Sequence, residues 1–370
     1  MRRLAVESLH VRSFRNLASV DIELGARFNV IAGDNGQGKT NLLEAVYVLA
    51  TSKSFRTSRL ADLVERDAPI ASVRGGVREG DDSRVQTLGV RGGLRSVRID
   101  ERRPRTLAEY AVLTPTVVFH PGGLALASGP GAERRKLLDR IALYQSPMSL
   151  ADAESYGKAL RGRQRALELR GADARDLEGW EELVVKHGAA LRTARESAAE
   201  VLAPLAEAAF ARIGAPSSVL AVRYTPSAPA DAAAYLDALR TSRARDRARG
   251  AASVGPHRDE LALSLSGEPV RTMASQGQQR AVVLALDLAE IGVIAAARGV
   301  LPVLLLDDVS SELDRTRMMA LLATLQSGEG QVLLTTTRPE LFDFAQLEGA
   351  SAAPDVRHFR VERGVVTRAS

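Results

Sequence analysis

The chain has no cysteine, so neither a disulfide nor a thiolate metal site is open to it, and a reducing compartment such as the cytoplasm is the default setting. Lysine is nearly as scarce. Lys39, Lys53, Lys136, Lys158 and Lys186 are the whole lysine complement among 50 basic residues, the rest being arginine. Beside so many alanines, that skew reflects a GC-rich coding sequence and not a functional signal. Aromatic residues make up 4%, with one Trp, which argues against a base-stacking platform for single-stranded nucleic acid. Long apolar runs are also missing. The N-terminal MRRLAVESLHVRSFRN never reaches the unbroken apolar core of a secretory signal. The apolar stretch 281–297 is interrupted by Asp287 and Glu290, which predicts a packed helix instead of a membrane span.

What remains is a globular composition. The 370 residues, 45% hydrophobic and 26% charged, suffice for two or three domains with a sizeable core and exclude wholesale disorder. A net charge of +5 permits an anionic partner without requiring one. Alternating apolar residues predict strands at 4–11, 19–24 and 27–32, a helix at 40–50, and antiparallel strands across 70–99. From 131 to 213 the pattern is helical, with Trp180, Val184, His187, Leu191, Ala194, Ala198, Val201 and Leu205 spaced alternately by four and three. That seam runs under four heptads and meets Pro204, which should end or kink the helix, so a compact helical lobe is expected instead of a coiled-coil arm. A strand at 219–224 and a helix at 232–252 follow, and the last third is α/β again.

Residues 33–40, GDNGQGKT, spell GxxxxGK[ST] between a predicted strand and a predicted helix. In that setting the backbone N–H groups of Gly33, Asp34, Asn35, Gly36, Gln37 and Gly38 and the positive end of the helix cradle phosphate oxygens. Lys39 would reach the β and γ phosphates of ATP, and Thr40 would ligate Mg2+. Residues 303–308, VLLLDD, supply the complementary element, a buried strand ending in an acid. Asp307 would hold the same Mg2+ through water, and Asp308 would orient or deprotonate the attacking water. Because Asp is a methylene shorter than Glu, slow hydrolysis is expected. Most of the chain separates Lys39 from Asp307, so a large inserted region must bring the two halves of one site together. Ser275-Gln276-Gly277-Gln278-Gln279 precedes a helix predicted at 280–291, a second helix start suited to an anion.

Further blocks are Phe14-Arg15-Asn16, Asn41-Leu42-Leu43-Glu44-Ala45, Lys53-Ser54-Phe55-Arg56, Glu133-Arg134-Arg135, Gly255-Pro256-His257-Arg258-Asp259 and LLLDDVSSELD at 304–314. Together with the P-loop and the 275–280 turn, they resemble the RecF family of bacterial recombination mediators, relatives of the SMC ATPase heads. The resemblance implies an α/β fold, an ABC/SMC-type P-loop ATPase head of mixed sheet and helices with antiparallel β additions. That head would comprise 1–130 and 251–370, with 131–250 a mainly helical inserted lobe. It further implies that Ser275, Gly277 and Gln278 contact ATP held by the opposite subunit of a homodimer, and that 311–314 is the loop crossing the dimer interface. Asn41 and Arg56 would join the nucleotide site, Arg56 as the arginine-loop residue. Arg15 would approach it too, with a structural salt bridge the alternative for both arginines.

The same resemblance implies DNA binding without sequence preference, action with RecO and RecR to place RecA at gaps, and a part in the SOS response. Candidate phosphate contacts are Arg102-Arg103-Arg105, Arg134-Arg135-Lys136 and Arg240-Arg243-Arg245-Arg247-Arg249. Some positions depart from related patterns. Glu260 stands where the family's GPHRDD ends in Asp. His120 and Thr335 to Thr337 occupy the regions where transporter cassettes carry their Gln and His, and no role is assigned to them. An OLD-type ATPase-nuclease, which needs a carboxylate-rich cleavage domain, and a transporter ATPase subunit, which needs the His switch, are the alternatives.

Overall fold

Period-two alternation requires a sheet with one covered face, and the first hundred residues build one. The computed structural model describes residues 1–214, 218–308, 330–342 and 355–369; the expected interface loop 311–314 lies outside them. β1 (Leu4–Phe14) and β2 (Leu17–Glu23) form a hairpin, and β3 (Phe28–Ala32) leads into α1 (Lys39–Thr51). β4 (Ala71–Glu79), β5 (Asp82–Arg91) and β6 (Leu94–Ile99) complete an antiparallel sheet ordered β2-β1-β4-β5-β6. Along β4, Ala71, Val73, Gly75, Val77 and Glu79 are buried and the residues between them are not, the pattern of a half-covered sheet. α2 (Leu107–Ala111), capped by Thr106, and β7 (Thr116–Phe119) follow.

The chain divides into two compact units, Met1–Gly123 with Glu290–Ser370, and Leu124–Ala289. The second unit contains α3 (Ala125–Ser128), α4 (Gly131–Gln145), α5 (Met148–Arg170), α6 (Leu177–Ile213), β8 (Leu220–Thr225), α7 (Ala232–Arg249), β9 (Glu260–Leu265), β10 (Glu268–Pro269) and α8 (Val270–Met273), and α9 (Gln276–Arg298) begins in it. The expected lobe ended at 250. Residues 251–289 group with the helices because β9 pairs with β8 along its whole length and the 255–260 segment bonds to α4 and α6.

α6 does not end at Pro204 but continues through it to Ile213. The missing N–H is offset by packing, since Leu202, Ala206, Ala209 and Phe210 are all buried around it. Its inward stripe is Leu177, Glu181, Val184, Gly188, Leu191, Arg195, Ala198, Leu202, Ala206 and Ala209. The expected seam residues Val201 and Leu205 instead face solvent, 38% and 42% exposed. The stripe thus passes through two charged residues, each of which finds a buried partner. Arg163 of α5, fully buried, bonds to Glu181 at 3.1 Å, to Asp246 of α7 at 2.8 Å and to the Leu239 carbonyl at 2.7 Å. Arg195 bonds to both oxygens of Asp139, to Asp259 at 3.1 Å and to the Pro256 carbonyl at 2.6 Å.

The block at 255–260 thereby acquires a structural role. Asp259 also accepts from the Tyr224 hydroxyl and the Ser227 N–H, and Glu260 accepts from Arg134 at 2.7 Å. His257 Nε2 faces the Ala252 carbonyl, which can only accept, so Nδ1 accepts from the Tyr156 hydroxyl at 2.7 Å.

The remaining strands, β11 (Val303–Leu306), β12 (Val332–Thr336), β13 (Val356–Glu362) and β14 (Val365–Ala369), complete a sheet ordered β14-β13-β3-β12-β11-β7. Its strands β3, β11 and β12 are parallel and read as apolar runs, FNVIA, VLLL and VLLTT, because both faces are covered. One core cluster unites this sheet with α1 and the antiparallel sheet. Among the described residues no helix is long and apolar enough to cross a membrane.

Removing Arg163 leaves Asp246 buried without its guanidinium, so Arg163→Met should lower unfolding free energy by about 3–5 kcal/mol in a urea melt; replacing Arg163, Glu181 and Asp246 together by apolar residues should recover most of that. Burial holds the His257 imidazole below its ordinary value of 6.5, with Arg258 and Arg135 adding to the effect and Asp259 and the Ala252 carbonyl opposing it. The unfolded chain therefore binds the proton more readily, and this contribution to stability, complete above the unfolded value, declines as pH falls below it. Melting curves of wild type and His257→Gln should diverge above that value and converge below it.

Candidate nucleotide site

The parallel order of β3, β12, β11 and β7 places four strand ends side by side, so the residues that directly follow β3 and β11 come together there. After β3 the chain turns through the glycine-rich loop into α1. Gly38 has φ 117, and a Cβ there would lie 2.8 Å from Asn16 Oδ1, so no side chain is tolerated at the helix start. Lys39 is buried and its amine bonds to the Gly33 and Asp34 carbonyls at 2.6 and 2.8 Å, folded across the loop it would later serve. Burial lowers its pKa, opposed by Asp308, Asp307 and Asp34. Asp34, Asn35 and Gly36 are exposed at the loop's tip, with no atom within 4 Å of a Cβ built at Gly36.

The separated halves do meet. Thr40 Oγ1 donates to Asp307 Oδ1 at 2.8 Å, and Asp308 follows with φ 50. Burial is the main cause raising the Asp307 pKa, and Asp308 adds to it; Thr40, Thr335 and Arg56 pull it down. A hydroxyl and a carboxylate at this separation are hard oxygen donors suited to Mg2+. Thr335, to which sequence reasoning assigned no role, also donates to Asp307 Oδ1. His120 sits at the end of β7, with its ring 4.9 Å from Phe55.

Arg15 and Arg56 both converge on Glu44. Arg15, itself at φ 56, holds the buried Glu44 carboxylate with two bonds of 3.0 and 2.9 Å. Arg56 Nη1 reaches the same carboxylate at 3.1 Å and Asn41 Oδ1 at 2.6 Å, and Ser54 Oγ donates to it as well. Asn41 in turn donates to Asn16, whose amide reaches the Gln37 carbonyl. Arg363 N–H and Gly364 N–H bond to the Gln37 side chain and backbone carbonyl, and Gly364 approaches Asn16 too closely for any Cβ. Glu44 and Gln37 carry no signature in a single sequence beyond their place in the blocks, and Gly364 lies in none of them.

In the second unit Ser275 and Gln278 bond reciprocally, Gln278 N–H to Ser275 Oγ and Ser275 N–H to Gln278 Oε1, a capping box at the start of α9; Gly277 lies within it, half-buried. Of the basic clusters, Arg134 is buried against Glu260 and two carbonyls, Arg135 bonds to the Asp259 carbonyl, Lys136 pairs with Glu133, and Arg243 turns inward to Glu181. Arg102, Arg103, Arg105, Arg240, Arg245, Arg247 and Arg249 remain exposed.

Residues 5–353 match the model of the RecF/RecN/SMC N-terminal domain. The DNA replication and repair protein RecF of Anaeromyxobacter sp. (strain Fw109-5) is 42% identical over 97% of this chain and 98% of its own. The chain belongs to the RecF family. RecF of Myxococcus xanthus is 40% identical over 95% of this chain and 93% of its own. A solved structure of the recombination mediator RecF-ATP of the RecFOR pathway superposes with a TM-score of 0.88 at 28% identity, covering 100% of this chain and 98% of that one. The SMC head domain of Pyrococcus furiosus, at 18% identity and TM-score 0.56, shares the fold. The chain thus has the ABC-type ATPase head fold of that family.

Replacing the raised, buried Asp307 carboxylate with an amide keeps an acceptor for Thr40 and Thr335 and removes the charge. The ionised acid weakens the nucleotide-free fold as pH rises through its raised pKa. Asp307→Asn should therefore raise the melting temperature of the nucleotide-free protein near neutral pH, and the gain should shrink on acidification.

Proposed function

We propose that this chain is an ATP-operated DNA clamp of recombinational repair. The observation that carries the reading is the Thr40–Asp307 bond at 2.8 Å, which joins the phosphate loop and the strand-end acid into one half-site. Lys39 leaves its carbonyls for the β and γ phosphates, Gly33 to Gly38 supply backbone N–H groups, and Thr40 and Asp307 hold Mg2+, which when bound neutralises phosphate charge. Asp308 positions the attacking water, and Arg56 and Asn41 flank the phosphates.

The other half-site is Ser275, Gly277 and Gln278 of a second copy, their capping bonds exchanged for phosphate contacts. Nucleotide then bridges two protomers, and its contacts exist only in the closed dimer, so ATP shifts the population by that differential affinity. The exposed arginines at 102–105 and 240–249 meet DNA phosphates without reading bases. Slow, DNA-stimulated hydrolysis opens the dimer and resets it. In the cytoplasm such a clamp marks gapped DNA and helps RecO and RecR place RecA, contributing to gap repair and the SOS response.

The test is an electrophoretic shift of gapped and duplex DNA without nucleotide and with ATP, for wild type, Lys39→Met and Ser275→Arg. Retention should require ATP and fail in both variants, while Ser275→Arg still binds ATP as an isolated protomer. ATP-independent retention equal to wild type in Lys39→Met rejects the switch, and loss of ATP binding in Ser275→Arg places the signature in its own chain's site. Light scattering with a non-hydrolysable analogue should report a dimer.

A further inference from the structure

β12 lies between the phosphate-loop strand β3 and the acid-bearing strand β11. Its last residues are therefore the only ones of the described sheet flanked by both halves of the site. The Thr336 carbonyl accepts from Gly33 N–H at 3.3 Å, tying the start of the phosphate loop to this strand. Thr335, fully buried, faces the other way. Its hydroxyl donates to Asp307 Oδ1 at 2.8 Å and accepts from the Asp308 N–H at 3.0 Å. One hydroxyl thus spends its hydrogen on the first acid and a lone pair on the backbone of the second.

Both bonds constrain the geometry of the acid pair. Asp308 sits at φ 50, a left-handed conformation that is uncommon for a non-glycine residue and that a neighbouring bond can hold. The bond from its N–H to Thr335 is such a hold, and it determines where the Asp308 carboxylate starts from. Asp307 receives a second bond from Thr40, but Thr40 is the hydroxyl expected to turn to the metal. Among the described residues, Thr335 is then the side-chain hydroxyl left to orient Asp307. A valine of the same shape would keep the packing and lose both bonds.

We infer that Thr335 is a positioning residue that couples the two acids, setting the Asp307 carboxylate for the metal and the Asp308 backbone for the hydrolytic step. The inference rests on the proposed roles of Asp307 and Asp308 and adds a residue that those roles require.

The test compares Thr335→Val and Thr335→Ser with wild type, and Asp308→Asn as reference. Two readouts are used: binding of a fluorescent non-hydrolysable ATP analogue as a function of Mg2+, and steady-state hydrolysis. Thr335→Val should bind the analogue without Mg2+ as wild type does, because Lys39 and the loop are untouched. It should need several-fold more Mg2+ to reach half-saturation and should lose roughly 10- to 100-fold in kcat, the scale of a lost bond to a charged group. Thr335→Ser, which restores the hydroxyl, should recover both. An unchanged Mg2+ midpoint and kcat in a folded Thr335→Val overturns the inference. So does a serine variant as impaired as the valine one, which would mean that the methyl packing matters. Should Thr335→Val melt more than about 10 °C below wild type, Thr335→Ala read against Thr335→Ser decides by the same outcomes. Full activity in Asp308→Asn would instead overturn the proposed role of Asp308, leaving the Mg2+ midpoint to judge Thr335.

Discussion

A single carboxylate oxygen, Asp307 Oδ1, takes hydrogen bonds from Thr40, 267 positions earlier, and from Thr335, 28 positions later. The head is arranged to make that meeting possible. Parallel strands present their C-terminal ends on one edge, so β3, β12 and β11 deliver a lysine loop, a hydroxyl and an acid to adjacent positions whatever lies between them in sequence. The register aligns Leu306 with Leu334 and Thr336 with Ala32, so the three ends finish within a residue or two of each other. A large insertion is tolerated for the same reason. What the site needs is strand order, and that is imposed by the buried apolar runs and not by the length of the connections.

Behind the loop, a second set of bonds fixes its shape before any ligand arrives. Glu44, fully buried, would be a costly charge in α1 were it not enclosed by Arg15, Arg56 and Ser54. In satisfying that carboxylate, the Phe14-Arg15-Asn16 turn and the Lys53-to-Arg56 segment are both pulled onto the nucleotide helix. Asn16 and Arg363-Gly364 then together hold Gln37. Each link is modest alone, but the links share atoms, so the loop's conformation is settled by the network as a unit. Preorganised phosphate cradles cost less to fill.

The phosphate loop, the strand-end acids and their parallel strands were legible in the sequence because each has a local spelling: glycine spacing, an apolar run, an acid at its end. The role of Gly255-to-Glu260 was not. The block could be recognised, yet its function as the acceptor set for Arg195, Arg134 and Tyr224 depends on residues scattered over the second unit. The same limit misplaced the face of α6. Apolar spacing selected Val201 and Leu205, whereas the buried stripe runs through Glu181 and Arg195, which a hydrophobicity pattern counts as surface. Charge runs erred in the opposite sense. Arg134, Arg135 and Arg243 read as a basic exterior and turn out to be structural donors, because a guanidinium with several fixed donors is the side chain best suited to hold buried carboxylates and carbonyls. Thr335 could be singled out by its position with Thr336 and Thr337 but given no role, since threonine at a strand end is ordinary until its two partners are known.

The nucleotide site and the second unit solve opposite electrostatic problems. Around Arg163 and Arg195 every buried charge has its counter-charge in reach, and the result is a settled framework. At the site, Asp307 is held above its usual carboxylate range by burial with Asp308 beside it, Lys39 is held below its usual range by burial, and Asp308 sits in a left-handed conformation. Each of these is a cost to the folded, nucleotide-free protein. A polyphosphate and a divalent cation carry the signs those groups lack. On the proposed function, affinity for them is partly the relief of conflicts already present in the fold, and a site filled on those terms transmits its occupancy, because the conflict returns whenever it empties.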